Sequence, residues 1–237
     1  MIKIKIFFLI IEICCTSKPS LYNAINGGGS RLELCENLLV GGLTPTPKFL
    51  EYVLNYSSTP IHVLIRPRRG NFVYTAKERQ TILTQIEMVK LSGAQGIVIG
   101  ALNDDNSLPL NLLKKWVKMA HPLDLTFHRA FDNVVQPRKS LKKIMDLGFN
   151  RVLTSGQKLM ATKGLALLVE LLNIAKDEVV IMPGGGINDQ NCEVFFKEGF
   201  NEIHLSGKGL DKTIDGEPIS DLKIIQKVVA SGSKFGL

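Results

Sequence analysis

Two acidic residues each stand two places before a cysteine, Glu12 before Cys14 and Glu33 before Cys35. Side chains alternate along an extended strand, so each carboxylate would share a face with its thiol. Adjacent strands would then repeat Glu-x-Cys in register. With those faces turned inward, two carboxylates and two sulfurs meet near the axis of the fold, the thiols nearer its mouth. Thiolates are soft donors that favour Cu(I) and also take Zn(II), while the deeper carboxylates could pair with a cation such as Arg66. Read singly, either cysteine is a small buried hydrophobe. The repeat is what points to a metal.

Further polar groups follow other short apolar runs. In Ile65-Arg66-Pro67-Arg68 the proline stops a strand ladder and leaves guanidinium groups to clamp a carboxylate or phosphate. Thr126-Phe127-His128-Arg129-Ala130-Phe131-Asp132 places a general base or metal ligand, His128, beside the cation Arg129 and the carboxylate Asp132. Thr154-Ser155-Gly156-Gln157 offers hydroxyls and backbone donors, among them Ser155. The run Met182-Pro183-Gly184-Gly185-Gly186-Ile187-Asn188, with a helix expected from about Asp189, has the form of a phosphate-binding turn. His204 and Ser206, two residues apart, share a strand face.

The elements that must position these groups repeat along the chain. Apolar or β-branched runs begin near Ile6, Leu32, Ile61, Gly96, Leu125, Val152, Val179 and Ile203. Between them lie helical periodicities. Thr75 to Leu91 sets Ile82, Ile86 and Val89 on one face, and Lys139 to Leu147 does the same with Leu141, Ile144 and Leu147. Gly93, Gly148 and Gly199 stand where helices should end before the next strand. Eight strand-helix units in 237 residues define an α/β fold, a (β/α)8 TIM-type barrel spanning 1–237 as a single domain. The first strand is expected over about 6–14 and a frayed tail over 231–237. A doubly wound dinucleotide fold would need its glycine fingerprint after the first strand, whereas Gly27, Gly28 and Gly29 precede the second. Barrels of this kind gather their working groups at the carboxyl ends of the strands, where every group named above falls.

Composition narrows the function classes. Lysine and arginine outnumber acidic residues 29 to 22, so the chain should attract anions, but the basic residues are dispersed with few aromatics between them, which argues against a dedicated nucleic-acid module. The four cysteines include no CxxC pair, which argues against a structural zinc site or a disulfide scaffold. The opening MIKIKIFFLIIEICC imitates a signal peptide, but Glu12 interrupts the apolar run and no AxA-like site follows, so it reads as the first strand. No segment approaches the about 20 apolar residues of a membrane span, and the free thiols suit the cytoplasm.

Seven blocks, each at an expected strand end, resemble the CutC copper-homeostasis family, described as TIM-type barrels. They are EICC at Glu12 to Cys15, SRLELCENLLVGGLTPT from Ser30 to Thr46, HVLIRPRRGNFVYT from His62 to Thr75, LTFHRAFDN from Leu125 to Asn133, RVLTSGQ from Arg151 to Gln157, MPGGGIN from Met182 to Asn188, and EIHLSG from Glu202 to Gly207. The resemblance implies a cytoplasmic homo-oligomer, a dimer or tetramer, with Cys14 and Cys35 matching the two cysteines proposed to hold Cu(I). Two departures stand out. After Arg-Pro-Arg the family usually has two glycines and an aspartate, where this chain has Arg69, Gly70 and Asn71. Cys15 replaces a usual aliphatic residue and by alternation should face the helices.

Copper homeostasis through a Cu(I) ion held by paired thiols is therefore the leading expectation, with no organic cofactor. The mouth nevertheless carries more polar groups than two thiols need. An alternative is a barrel enzyme for a small phosphorylated or carboxylated ligand. Glu33 or His128 would be its general base, and Arg66 with Gly184, Gly185 and Gly186 would grip the anion. Another is a barrel that binds nucleic acid, or hydrolyses it with a metal ion.

Overall fold

The structure is a computed structural model that describes residues 9–214 and 216–235. Strands and helices alternate as β1 (Ile10–Cys15), α1 (Lys18–Asn26), β2 (Arg31–Leu34), α2 (Pro47–Tyr56), β3 (Ile61–Leu64), α3 (Ala76–Ser92), β4 (Gly96–Ile99), α4 (Leu110–Ala120), β5 (Asp124–Phe127), α5 (Pro137–Leu147), β6 (Arg151–Thr154), α6 (Leu165–Ala175), β7 (Val180–Pro183), α7 (Cys192–Lys197) and β8 (Glu202–Leu205). A hairpin, β9 (Lys208–Ile214) and β10 (Glu217–Ser220), precedes the last helix, α8 (Leu222–Gly232).

The first eight strands pair in parallel in the order β7-β6-β5-β4-β3-β2-β1-β8, and a parallel bridge between Gly184 and His204 spans the seam. The result is a TIM-type barrel, as the spacing of apolar runs predicts. The first strand is described from Ile10 to Cys15, so it reaches one residue beyond the expected end, and the expected start at 6–8 lies outside the described residues. At the other end the chain stays helical through Gly232, and Phe235 rests on Phe196 with ring centroids 5.8 Å apart. Positions 236–237 of the expected tail lie outside the described residues.

Alternation along the strands sorts side chains between two environments. Ile13, Cys15, Leu32 and Leu34 face outward and are fully buried under the helices, where each aliphatic contributes about 1.5–3 kcal/mol. Cys14, Cys35, Leu64 and Val98 form a separate cluster inside the barrel. Cys15 therefore packs toward the helices as expected, its thiol 3.9 Å from the Ser20 carbonyl of α1.

The helices start and stop on local signals. Thr75 and Glu78 close a reciprocal cap at the start of α3, and Gly93 ends it at φ 91°, a left-handed conformation that glycine adopts without a Cβ clash. Ile82, Ile86 and Val89 of α3 are buried, as are Leu141 and Ile144 of α5. The helix expected from Asp189 starts later. The Asn188 and Asn191 side chains bond the backbone of their own turn, with Asn188 Oδ1 accepting from the Gln190 amide at 2.9 Å and Asn191 Oδ1 from the Asn188 amide at 2.9 Å. Such turns compete with helix for the same backbone groups, and α7 begins only at Cys192.

Candidate functional site

The inward face of β1 carries Glu12 and Cys14, and that of β2 carries Arg31 and Glu33, followed by Cys35 just past the strand end. The two Glu-x-Cys motifs are not aligned as the sequence suggests. Glu12 lies opposite Arg31 and Cys14 opposite Glu33, a two-residue offset that leaves Cys35 one step nearer the mouth. Strands in a barrel are tilted and staggered against one another, so equivalent positions slide along the wall. The offset still brings the sulfurs together, with Cys14 Sγ and Cys35 Sγ 3.1 Å apart. All four cysteines are free thiols.

Below them lies an ionic floor. Glu12, with no exposed surface, receives the Arg31 Nε–H at 2.5 Å and stands 2.8 Å from His204 Nδ1. Arg31 also donates to Glu202, which in turn accepts from Arg151 Nε at 2.6 Å. Burial alone would raise the Glu12 pKa, but Arg31, His204 and His62 together hold it well below the ordinary carboxylate value. Arg66 does not reach these acids. Its guanidinium donates to the carbonyls of Val40, Gly42 and Gly70 at 2.8–3.0 Å, so it fastens two mouth loops instead of pairing with Glu12 or Glu33. Arg31 holds that place because it begins a strand beside Glu12, whereas Arg66 follows its strand at the opposite end.

Above the floor the balance changes. Cys14, Glu33 and His204 bring one donor atom each within 4.8 Å of one another, and His204 Nε2 is 3.7 Å from Glu33 Oε2. The hydrogen bond with Cys35, then burial and the nearby Glu33 carboxylate, push the Cys14 thiol well above its usual pKa. For Cys35 the bond to Cys14 works downward, but burial and Glu33 outweigh it and the thiol is raised as well. Burial raises the Glu33 pKa, opposed by His204 and reinforced by Glu12. Burial would lower that of His204, yet Glu33 and Glu12 raise it.

These groups open into a cavity of about 570 Å³ at the carboxyl end of the barrel. Its wall includes His128, Arg129, Gly185, Gly186, Ser206 and the apolar Phe72. His128 is 4% exposed, its Nδ1 accepts from the Ala130 amide at 3.2 Å, and its Nε2 has no partner among the described residues. Burial, helped by Arg66, lowers its pKa to about 3, so the ring is neutral with Nε2–H as donor. Gly100 makes room for it, since a Cβ there would meet His128 Nδ1 at 2.7 Å.

Asp132 is not placed as a free acid or base. Its Oδ1 accepts from Thr154 Oγ1 at 2.5 Å and from the Ser155 and Gln157 amides, and its Oδ2 from Arg129 Nε at 2.8 Å. Arg129 Nη2 also donates to Ser155 Oγ at 2.9 Å. The three residues brace the loops after β5 and β6 against one another. Gly184 bridges to His204 in the wall, leaving Gly185 and Gly186, at φ 117° and 73°, to face the cavity.

Sequence reasoning missed Arg31, Arg151 and Glu202, although Arg31-x-Glu33-x-Cys35 and Glu202-x-His204-x-Ser206 display the same alternation as Glu12-x-Cys14. It also missed Gly42. At φ 81°, with a Cβ that would clash with Leu64 at 2.8 Å and touch Cys35 Sγ at 3.4 Å, glycine lets this loop lie against the sulfur.

A parallel eight-stranded barrel with paired thiols, an acid and a histidine converging on an open mouth defines the class of protein. The CutC family matches residues 9–209, and this chain belongs to it. The mouse protein named "Copper homeostasis protein cutC homolog" is 42% identical over 200 residues, covering 84% of this chain and 74% of that protein. Its human namesake is 41% identical, covering 84% and 73% respectively. The crystal structure of the putative copper homeostasis protein CutC from Streptococcus agalactiae superposes with a TM-score of 0.80 at 28% identity, covering 84% of this chain and 99% of that one.

Proposed function

We propose that this chain serves copper homeostasis by taking Cu(I) as cargo between Cys14 and Cys35 at the barrel mouth. The observation that carries the reading is the 3.1 Å approach of two free, buried sulfurs beside an open cavity. The donor set fits the ion, because soft thiolates in an apolar lining of Leu64 and Val98 favour Cu(I) over hard cations. Both thiols start protonated, so loading the ion releases protons and tightens as pH rises. Reduced thiols suit a cytoplasmic setting, and the family resemblance suggests a dimer or tetramer. No helix among the described residues is long and apolar enough to cross a membrane.

Anaerobic Cu(I) titration against a competing chelator tests the reading on wild type and on the Cys14→Ser, Cys35→Ser double variant. Tight binding that disappears in the variant supports it. Equal affinity and stoichiometry in both proteins overturn it.

One observation favours a second reading, the unpartnered, buried Nε2–H of His128, a residue of the cavity wall. A phosphoryl or carboxylate oxygen would satisfy that donor, with Arg129 and the Gly185-Gly186 backbone nearby and Glu33 as the candidate base. Arg66, already committed to three carbonyls, is left out of this grip. A ligand at 100 times its Kd should stabilise the native state by about 2.7 kcal/mol. Thermal shift across phosphorylated and carboxylated metabolites therefore checks it, and a shift that His128→Phe leaves unchanged removes His128 from the account.

A further inference from the structure

We infer that Cys14, Glu33 and His204 form a second metal site, one for a borderline divalent ion of the Zn(II) type, which shares Cys14 with the Cu(I) pair and so excludes it. Four independent features of the mouth support this assignment.

The first is spacing. Bonds of about 2.0–2.3 Å to nitrogen, oxygen and sulfur place tetrahedral donors about 3.3–3.8 Å apart. His204 Nε2 and Glu33 Oε2 are already 3.7 Å apart, and the Cys14, Glu33 and His204 donor atoms lie within 4.8 Å of one another. Small side-chain rotations suffice to close the set around an ion.

The second is support. A histidine that binds a metal through one ring nitrogen commonly donates the other N–H to a carboxylate, which fixes its tautomer and strengthens it as a ligand. His204 Nδ1 stands 2.8 Å from Glu12 Oε1, and Glu12 is itself locked by Arg31 at 2.5 Å. This leaves Nε2 as the nitrogen facing Glu33.

The third is charge. A Cys14 thiolate, a Glu33 carboxylate and a neutral His204 total two negative charges, which a dication neutralises in a buried site.

The fourth is the open side. Three protein ligands with a free position toward a cavity of about 570 Å³ are the arrangement of zinc sites that admit a water or ligand oxygen. Cys35 is not needed for this set. Its sulfur lies 3.1 Å from Cys14 on the side of Gly42 and Leu64, and it serves the Cu(I) pair alone.

The two sites separate by variant. Anaerobic Co(II) titration, read by thiolate-to-cobalt charge transfer and tetrahedral visible bands, should give one equivalent in wild type and in Cys35→Ser. The bands should vanish in Cys14→Ser, and in the Glu33→Gln, His204→Ala double variant. Glu12→Gln, which weakens the support of His204 and also neutralises the partner of Arg31, should weaken Co(II) by about 10–100-fold in protein that remains folded. Cu(I) titration of the same proteins should show the reverse pattern, lost in Cys35→Ser and retained in the Glu33→Gln, His204→Ala variant. Circular dichroism of each variant confirms that it is folded. Absence of the bands in wild type, or their survival in the folded double variant, overturns the divalent site without touching the Cu(I) reading. Loss of Cu(I) competition with intact Co(II) bands would overturn only the latter.

Discussion

The floor and the mouth of this barrel draw on the same strands, yet their polar groups are partnered differently. In the floor, Glu12, Arg31, Glu202 and Arg151 alternate in sign and pair with one another, with Nδ1 of the neighbouring His62 left without a hydrogen bond among the described residues. In the mouth, Cys14, Cys35, Glu33 and His204 bring two thiols, a carboxylate and one imidazole together, while His128 Nε2 has no acceptor among the described residues. Buried ions that pair with one another fix a structure, whereas thiols and a carboxylate that border a cavity keep donor capacity on its wall. The difference separates ions that hold the barrel together from groups that line its mouth.

The sharpest way to break this contrast is to remove one floor charge. Arg31→Met leaves Glu12 uncompensated and deprives Glu202 of a partner, and should destabilise the fold by about 3–5 kcal/mol in urea unfolding. Adding Glu12→Met should recover part of that loss. A change below about 1 kcal/mol in the single variant would mean that the floor is not held by charge pairing.

Acid should act next, through the buried histidines. Burial lowers His62 to about 3, against the pull of Glu12, and His128 to about 3. Both native values lie below the ordinary 6.5, so the unfolded chain takes up protons that the native chain refuses. Their stabilisation is whole above pH 6.5 and is lost as pH falls from there toward 3. Each histidine contributes a slope of about 1.4 kcal/mol per pH unit in that window. His128→Phe, at a ring tilted 46° against Phe72 with centroids 4.8 Å apart, should flatten the measured slope by about one histidine's share.

The mouth should tolerate more. Cys35→Ser keeps a hydrogen-bonding group beside Cys14 and should cost about 1 kcal/mol, while on the proposed reading it removes Cu(I) binding. The smallest effect belongs to the surface. Arg138 and Glu170, with side chains 59% and 41% exposed, form an ion pair that water and salt screen, so Arg138→Ala should leave the melting temperature unchanged within error.

Much of this was legible in residue order. Strand and helix positions followed from apolar periodicity because burial on one face imposes it, and Gly93, Gly148 and Gly199 adopt the positive φ expected of helix ends. The inward face of Glu12 and Cys14 followed from the two-residue repeat of a strand, and with it the outward turn of Cys15. The partners of those residues did not follow. Arg66 was expected near the carboxylates on chemical type, but an arginine after its strand meets loop carbonyls, and one at the start of β2 meets Glu12. Asp132 was expected as a carboxylate beside His128 and Arg129, but the turn after β6 occupies its oxygens.

The sequence by itself determined which residues face inward, because alternation is a property of each strand alone. Only the tertiary structure decided which of them touch. The two-residue stagger sets Cys14 against Glu33, and closure of the sheet brings His204 of β8 to Glu12 of β1 across 192 positions of chain. Stagger and closure arise from packing eight tilted strands around one axis, a constraint that no single segment carries.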